Sequence, residues 1–221
     1  MSSTAVASDA KREGHSIGFN LAVIAVAAAL LGLGFAYSID AAGRADRHAH
    51  QGNLARTLGG TQLEIPANWF RDEDAERAEG FAKQVELALD LPFGMEGAIR
   101  TVDVTLVPRS RARPSASLLD GVYLHQFMPE QLVGPPGLIG KPLIAKEGFE
   151  NETIWYDPLS AAPFVAKCLA AVADGAHGRC LRTVYLGAGI AAVYSFDDDL
   201  LASWKQFDAR IHPLMQQIGA L

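Results

Sequence analysis

The sequence predicts an α+β domain, a mainly antiparallel sheet with a C-terminal amphipathic helix packed on it, preceded by one N-terminal transmembrane helix. Three observations predict this architecture: an uncharged apolar run near the N-terminus, a series of segments in which apolar and polar residues alternate, and a helical apolar stripe at the C-terminal end. The chain has 221 residues, enough for one domain plus an extra segment and too few for two large cores.

The apolar run covers residues 18–37, and residues 21–37 within it carry no charge. A helix of about twenty residues is about 30 Å long, which matches the hydrocarbon core of a bilayer. A secretory signal has a shorter apolar region of roughly 7 to 15 residues that ends at a small-x-small site, and residues 36–38 can be read as such a site. The length of the run favours an uncleaved anchor, with a cleaved signal as the alternative.

The orientation of the chain is not set by its basic residues, because two precede the apolar run and two follow it at Arg44 and Arg47. The cysteines indicate an orientation instead. Cys168 and Cys180 are the only two, and both lie in the large C-terminal part. Because an oxidising compartment converts such a pair to a disulfide, we place the N-terminus in the cytoplasm and the C-terminal domain outside it.

The chain is therefore expected to have four successive segments: a cytoplasmic tail at 1–17, a transmembrane helix at 18–37, a linker at 38–60 and an extracytoplasmic α+β domain at 61–221. The predicted location is the inner (cytoplasmic) membrane, with the domain on the periplasmic side and the lipid bilayer as partner of the helix. Ala28, Gly32 and Ala36 repeat every four residues, a spacing that lets two helices approach closely. An ordinary alanine-rich anchor is the alternative interpretation.

The predicted linker is small and polar and has no apolar periodicity. It contains His48 and His50, an H-x-H pair that could share a metal. Because no cysteine or further histidine lies nearby, a solvated linker is the favoured interpretation and no metal site is predicted.

Within the domain the dominant period is two, which is typical of strands with one buried face. The clearest apolar positions are Leu63 and Ile65, then Val85, Leu87, Leu89 and Leu91, then Val102, Val104 and Leu106. Residues 92–98 read PFGMEGA and suit a hairpin loop, so the strands on either side are expected to be antiparallel neighbours. An irregular loop is expected at 130–142. Further strands are expected at 143–145, 153–156, 164–169, 181–186 and 190–196.

Two helices are predicted. Residues 117–127 fit one helical face, with Ser115 or Ser117 as cap. Asp197, Asp198 and Asp199 precede the second helix and are expected to cap its free N–H groups, a cation site being the alternative, and Pro213 is expected to kink its last turn. The apolar stripe of this second helix consists of Leu200, Trp204, Phe207, Ile211, Leu214 and Ile218.

Four segments carry a resemblance: LEIPANWF (63–70), SASLLDGVYLHQF (115–127), GPPGLIGKPL (134–143) and CLRTVYLGAGIAAVYSFD (180–197). With an anchor, strands, a late hairpin and a C-terminal helix, the chain resembles some uncharacterised bacterial single-pass transmembrane-anchored proteins. More loosely, the IPANW start and the closing hairpin, strand and helix are similar to the PsbP/Mog1-like fold. This likeness includes no catalytic motif and implies an accessory or binding role.

Motifs that carry enzyme chemistry are sparse in the sequence. Residues 187–189 read GAG, lack the third glycine of a dinucleotide fingerprint, and are predicted to form a hairpin turn. His125 and Asp120 with a serine make a triad on paper, but no spacing supports it. The net charge of -6 repels phosphate backbones, so no nucleic-acid partner is expected. No catalytic residue and no cofactor is predicted.

Two loops are candidate contact sites. Arg109, Arg111 and Arg113 are suited to carboxylates or phosphates, and a lipid headgroup, a wall polymer or an acidic protein would supply them. The alternative is a solvated loop. Pro135, Pro136, Leu138 and Ile139 form a rigid apolar loop that suits a partner contact or a lid, unless it packs against the body. Among the tryptophans, which are predicted to be core residues, Trp69 or Trp155 is a candidate for lining a ligand surface.

The cysteines are expected to form a disulfide across a β-hairpin. Cross-strand partners have position numbers with a constant sum, so pairing Cys168 with Cys180 centres the turn on Asp174. A three-residue loop at 173–175 with Gly175 in the left-handed conformation meets this requirement. A turn at 175–178 would instead put the cysteines out of register.

Together these features predict a membrane-tethered extracytoplasmic binding or assembly protein of the cell envelope, non-catalytic and with a protein partner. Two alternatives stay open: an envelope enzyme of hydrolase type with an unrecognised site, and a small integral subunit of a membrane complex.

Overall fold

The structure, a computed structural model, describes residues 52–71, 80–145, 151–173, 175–187 and 189–221. The predicted tail, transmembrane helix and histidine pair lie outside these residues, as do Ala28, Gly32 and Ala36. None of the helices in the described residues is long and apolar enough to cross a membrane.

The described residues form two sheets. The strands are β1 Asn53–Leu58, β2 Thr61–Pro66, β3 Gly80–Ala82, β4 Val85–Phe93, β5 Ala98–Pro108, β6 Leu132–Val133, β7 Ile139–Pro142, β8 Glu152–Tyr156, β9 Val165–Leu169, β10 Arg179–Tyr185 and β11 Ile190–Asp197. Eight of them form an antiparallel sheet in the order β4-β5-β11-β10-β9-β8-β7-β6. The smaller sheet has the order β2-β1-β3, with β1 antiparallel to β2 and parallel to β3.

The predicted alternation is confirmed in the long hairpin of β4 and β5. Every second residue of β4 is buried, and Leu89 lies opposite Val102 on the covered face. Phe93 faces Ala98 across the loop, so the PFGMEGA segment makes the predicted antiparallel connection. The GAG turn is also confirmed, since it joins β10 to β11 and the Ile190 N–H donates to the Gly187 carbonyl at 3.1 Å.

Strand β1 corrects the predicted linker, which cannot extend to residue 60 because residues 53–58 pair with β2. The alternation in this strand is hidden in the sequence, since a buried position is occupied by Arg56, whose guanidinium lies 5.1 Å from the Phe70 ring centre. Strands β6 and β7 likewise replace part of the irregular loop expected at 130–142. These strands were not predicted because the segment that contains them is rich in glycine and proline, which are uncommon inside strands.

The first helix, α1, covers Ser115–Gly121 and is shorter than predicted. It ends because Val122 leaves the helical conformation, and a 3₁₀ turn at Tyr123–Gln126 follows. Ser115 does not cap the helix; its buried hydroxyl instead accepts a hydrogen bond from the Thr183 N–H at 2.9 Å. The expected capping is therefore wrong, because strand β10 uses that hydroxyl.

The second helix, α2, covers Trp204–Gln217 and follows a 3₁₀ turn at Asp198–Ser203. Of the predicted stripe, Phe207, Ile211 and Ile218 are almost fully buried. Pro213 lies inside the helix, which continues to Gln217. The stripe therefore covers one face of the large sheet, and the predicted α+β architecture with a packed C-terminal helix is confirmed.

The three aspartates before α2 do not cap it by side-chain hydrogen bonds. Each carboxylate instead contacts a basic side chain. Asp197 ends β11 opposite Arg179 in the register, which brings their side chains together. Asp197 pairs with Arg179 at 2.7 Å and Asp199 with Arg100 at 3.1 Å, while His177 Nδ1 lies 3.7 Å from Asp198. Two of the three carboxylates are thus engaged by arginines, and within the described ranges no group of three metal-ligating side chains lies together.

The large sheet is covered on both faces. The main core joins the sheet, the smaller sheet and α2, whereas a second, smaller cluster lies on the other face beneath α1. Alternation along β9 shows the division, because Val165 belongs to the smaller cluster and Ala166 to the main core.

Candidate functional site

The predicted disulfide is confirmed. Cys168 in β9 and Cys180 in β10 lie directly opposite each other, and their buried sulfur atoms are bonded. This pairing is the register that the sequence predicted. The bond therefore joins two neighbouring strands inside the large sheet.

The predicted three-residue loop at 173–175 is wrong, because the paired strands end at Leu169 and resume at Arg179. The turn itself is where it was expected. Gly175 has a φ of 79°, and the Ala176 N–H donates to the Ala173 carbonyl at 3.1 Å. The ladder stops early because backbone groups beside it bond elsewhere: the Gly178 carbonyl accepts from the Asp198 N–H at 2.9 Å.

The disulfide lies beside an open groove of about 320 Å³, which we call the disulfide groove. Residues of β6, β8 and β9, of the segments that follow β6 and β9, and of the 3₁₀ turn before α2 line it. The lining residues are Val133, Gly134, Pro135, Thr153, Trp155, Cys168, Leu169, Ala170, Asp198 and Leu201. This surface is part apolar and part polar, and Asp198 is its one charged group among the described residues.

Trp155 forms a wall of the groove and rests on two glycines. Gly140 lies opposite it in β7, and Gly134 follows β6. A Cβ atom at either glycine would overlap the six-membered ring of Trp155. The glycines therefore let the indole lie close to the backbone of the neighbouring strands, and Trp155 is the tryptophan that lines a candidate ligand surface.

The predicted partner or lid loop borders the same groove. Pro135 lines it, and Pro136 is exposed with its carbonyl accepting from Trp204 Nε1 at 3.2 Å. Leu138 is buried in the main core and Ile139 is half-buried in β7, which agrees with the alternative that this part of the loop packs against the body. Their apolar side chains anchor the loop to the domain, so its outer surface is formed by the prolines.

The three predicted arginines lie together on the surface, with Arg109 and Arg111 in a 3₁₀ turn after β5. The guanidinium of Arg109 lies 4.0 Å from the ring centre of Tyr185. Arg111 Nη1 donates to the Lys83 carbonyl at 3.0 Å, while Arg113 is exposed. Two of the three guanidinium groups thus have contacts within the domain, and their binding to an anionic partner stays a prediction.

The structure does not support a catalytic triad of His125, Asp120 and a serine. His125 and Asp120 are both exposed, and in the described part of the chain no hydrogen bond links either to a serine.

The feature that sequence reasoning missed is the groove itself. Its walls come from residues 133–135, 153, 155, 168–170, 198 and 201, which only the strand order brings together. The glycines at 134 and 140 were a usable signal, because glycine within a strand region often marks the close approach of another group.

Fold and groove together define an α+β domain with a disulfide-bridged antiparallel sheet and an open surface groove bordered by β6, β8 and β9. No protein-family model, curated protein or solved structure matches this chain.

Proposed function

We propose that this chain is a membrane-tethered extracytoplasmic binding protein, anchored by residues 18–37, whose domain engages an envelope partner through the disulfide groove. One observation carries the proposal: Cys168 of the Cys168–Cys180 disulfide lines an open surface groove. The disulfide supports an extracytoplasmic location for the domain, and the groove supports its proposed role in binding a partner.

The compartment follows from redox chemistry. Disulfides form and persist in oxidising environments such as the periplasm and are rare where thiols are kept reduced. Both cysteines are buried between strands rather than exposed for exchange, which is typical of a structural bond. An exported domain that follows a bilayer-length apolar run is most simply held at the membrane by that run.

The occupant that we infer for the groove is an extended segment of a partner protein, with an apolar side chain and a basic residue. Strand β6 is the last strand of the large sheet in the described residues, and its Val133 is 100% exposed beside the groove. An exposed edge strand offers backbone groups to an added strand. Asp198 at the groove favours a positive charge in the segment, as does the net charge of -6.

The orientation is tested by reporter fusions at the C-terminus of the full chain. We expect phosphatase activity from an alkaline phosphatase fusion and no fluorescence from a green fluorescent protein fusion, because the former needs disulfides and the latter does not mature after ordinary export. The opposite pattern would overturn the orientation. A mature chain that begins near residue 39 would show a cleaved signal and remove the tether.

The groove is tested by a photoreactive amino acid at Val133 in the full chain in living cells. Met95 is a matched control, because it is 104% exposed but lies in the β4–β5 loop, next to the strand at the opposite edge of the large sheet. We expect an adduct with an envelope protein from position 133 and not from position 95, and its loss when Pro135→Lys adds a positive charge that repels the basic residue of the segment. Mass spectrometry of the adduct should identify an extended apolar segment with a lysine or arginine. Equal labelling at both positions, or an adduct unaffected by Pro135→Lys, contradicts the proposal.

A further inference from the structure

A second cleft contains a buried arginine. The inference that it supports does not depend on the proposed function. Arg182 in β10 lies directly opposite Tyr194 in β11, and its side chain is only 8% exposed. Its guanidinium lies 4.6 Å from the ring centre of Phe164 and 5.7 Å from that of Phe207. A cation removed from water to this extent requires an anionic partner.

The partner of Arg182 is Asp208 on α2. Arg182 Nη2 donates to Asp208 Oδ2 at 2.9 Å, and Nη1 donates to Oδ1, so the pair is bidentate. The two members differ in burial, because the Asp208 side chain is 65% exposed. Asp208 can therefore turn into water when another anion takes its place on Arg182, whereas Arg182 itself is held against aromatic rings. A planar guanidinium fixed in this way is suited to a second carboxylate.

The space beside this ion pair is an open cleft of about 270 Å³, which we call the Arg182 cleft. Its lining includes Val184, Ile211 and Met215, all apolar. Ligand pockets are commonly about 300–1,000 Å³ in volume, so this cleft suits a small ligand.

Tyr194 adds a hydrogen-bond donor to the cleft. The ring is buried against Phe207, and among the described residues no partner accepts a hydrogen bond from its hydroxyl. Burial is the main reason that the pKa of Tyr194 is raised far above its ordinary value, while the Arg182 charge opposes that effect. The hydroxyl is therefore neutral at physiological pH and able to donate.

We propose that the Arg182 cleft binds a small monocarboxylate with a short aliphatic chain. The ligand carboxylate replaces that of Asp208 on the Arg182 guanidinium, with Tyr194 as a further donor. The aliphatic chain contacts the half-buried side chains of Val184 and Leu186, next to the buried Ile211 and Met215. Asp208 thus closes the empty site and competes with the ligand.

The test is methyl NMR of the full chain in detergent micelles, labelled with ¹³C at its methionine methyl groups. The chain has four methionines, of which Met215 lines the cleft, while Met95 and Met128 lie elsewhere in the domain. The probe is 4-methylpentanoate, and the neutral control is 4-methylpentanamide. We expect the acid to shift the Met215 signal saturably and leave Met95 and Met128 unchanged, with binding of the amide weaker by about tenfold or more because it lacks the charge.

Three variants complete the experiment. Asp208→Asn should bind the acid several-fold more tightly, because the site is no longer occupied by its own carboxylate. Arg182→Gln should lose binding, whereas Arg179→Gln, which removes an arginine outside the cleft, should not change it. If Arg182→Gln fails to fold, the amide control and Asp208→Asn still decide. Equal binding of acid and amide, or Asp208→Asn binding no more tightly than the unaltered chain, overturns the proposal.

Discussion

Replacing Phe207 with alanine is expected to lower the free energy of unfolding by about 3–5 kcal/mol, the range for large aromatic residues removed from a core. Phe207 is fully buried at the centre of the main core. Its ring centre lies 4.8 Å from that of Phe196, 5.5 Å from Tyr194, 5.9 Å from Phe164 and 6.1 Å from Phe93. Phe93 belongs to β4, Tyr194 and Phe196 belong to β11, and Phe164 immediately precedes β9, so the side chain joins α2 to separate parts of the large sheet.

Urea denaturation followed by tryptophan fluorescence measures this loss. All three tryptophans of the chain, at positions 69, 155 and 204, lie in the described domain, so the signal reports the domain even in the full chain. Phe81→Ala is the matched control, because Phe81 is 92% exposed and its truncation should change stability by no more than about 0.5 kcal/mol. A similar small change for Phe207→Ala would contradict the described contact of α2 with the sheet.

Elements whose burial follows one period were predictable from the sequence. Burial alternates along the whole of β4 and from Val102 to Leu106 in β5, and the apolar stripe of α2 contains few interruptions. Strand β1 was not predictable in this way, because Arg56 occupies a buried position where the pattern requires an apolar residue. The aspartates before α2 were assigned to capping because local spacing shows only their neighbours in sequence. Their partners, such as Arg100 for Asp199, come from distant strands.

The disulfide was predictable from local sequence, whereas the disulfide groove and the Arg182 cleft were not. The pairing of Cys168 with Cys180 depends on one hairpin, so position numbers along the chain were enough to predict the register. The disulfide groove depends on the order of four strands and a 3₁₀ turn, which no local pattern specifies. Arg182 was missed for a related reason. Between Cys180 and Val184 it occupies the covered face of β10, but as an arginine it reads as a solvent-facing residue.

Removing the disulfide with the double variant Cys168→Ala/Cys180→Ala is expected to lower the free energy of unfolding by about 3 kcal/mol. The sequence separation of the cysteines is 12, and in the chain-entropy model a loop of this size restrains the unfolded chain by about that amount. Alanine is the suitable replacement because both positions are buried and a single variant would leave an unpaired thiol.

Reductant separates the effect of the bond from that of the side chains. Dithiothreitol should shift the denaturation midpoint of the unaltered chain toward that of the double variant and leave the midpoint of the variant unchanged. Thiol counting under denaturing, non-reducing conditions should find no free thiol in chain taken from an oxidising compartment. Two free thiols there would falsify the bond and, with it, the observation that supports an extracytoplasmic domain. The chain-entropy model assumes that the two cysteine-containing segments are far apart in the unfolded chain without the bond. If the bond forms but its removal lowers the free energy of unfolding by much less than about 3 kcal/mol, that assumption is wrong and the unfolded chain already keeps the segments close together.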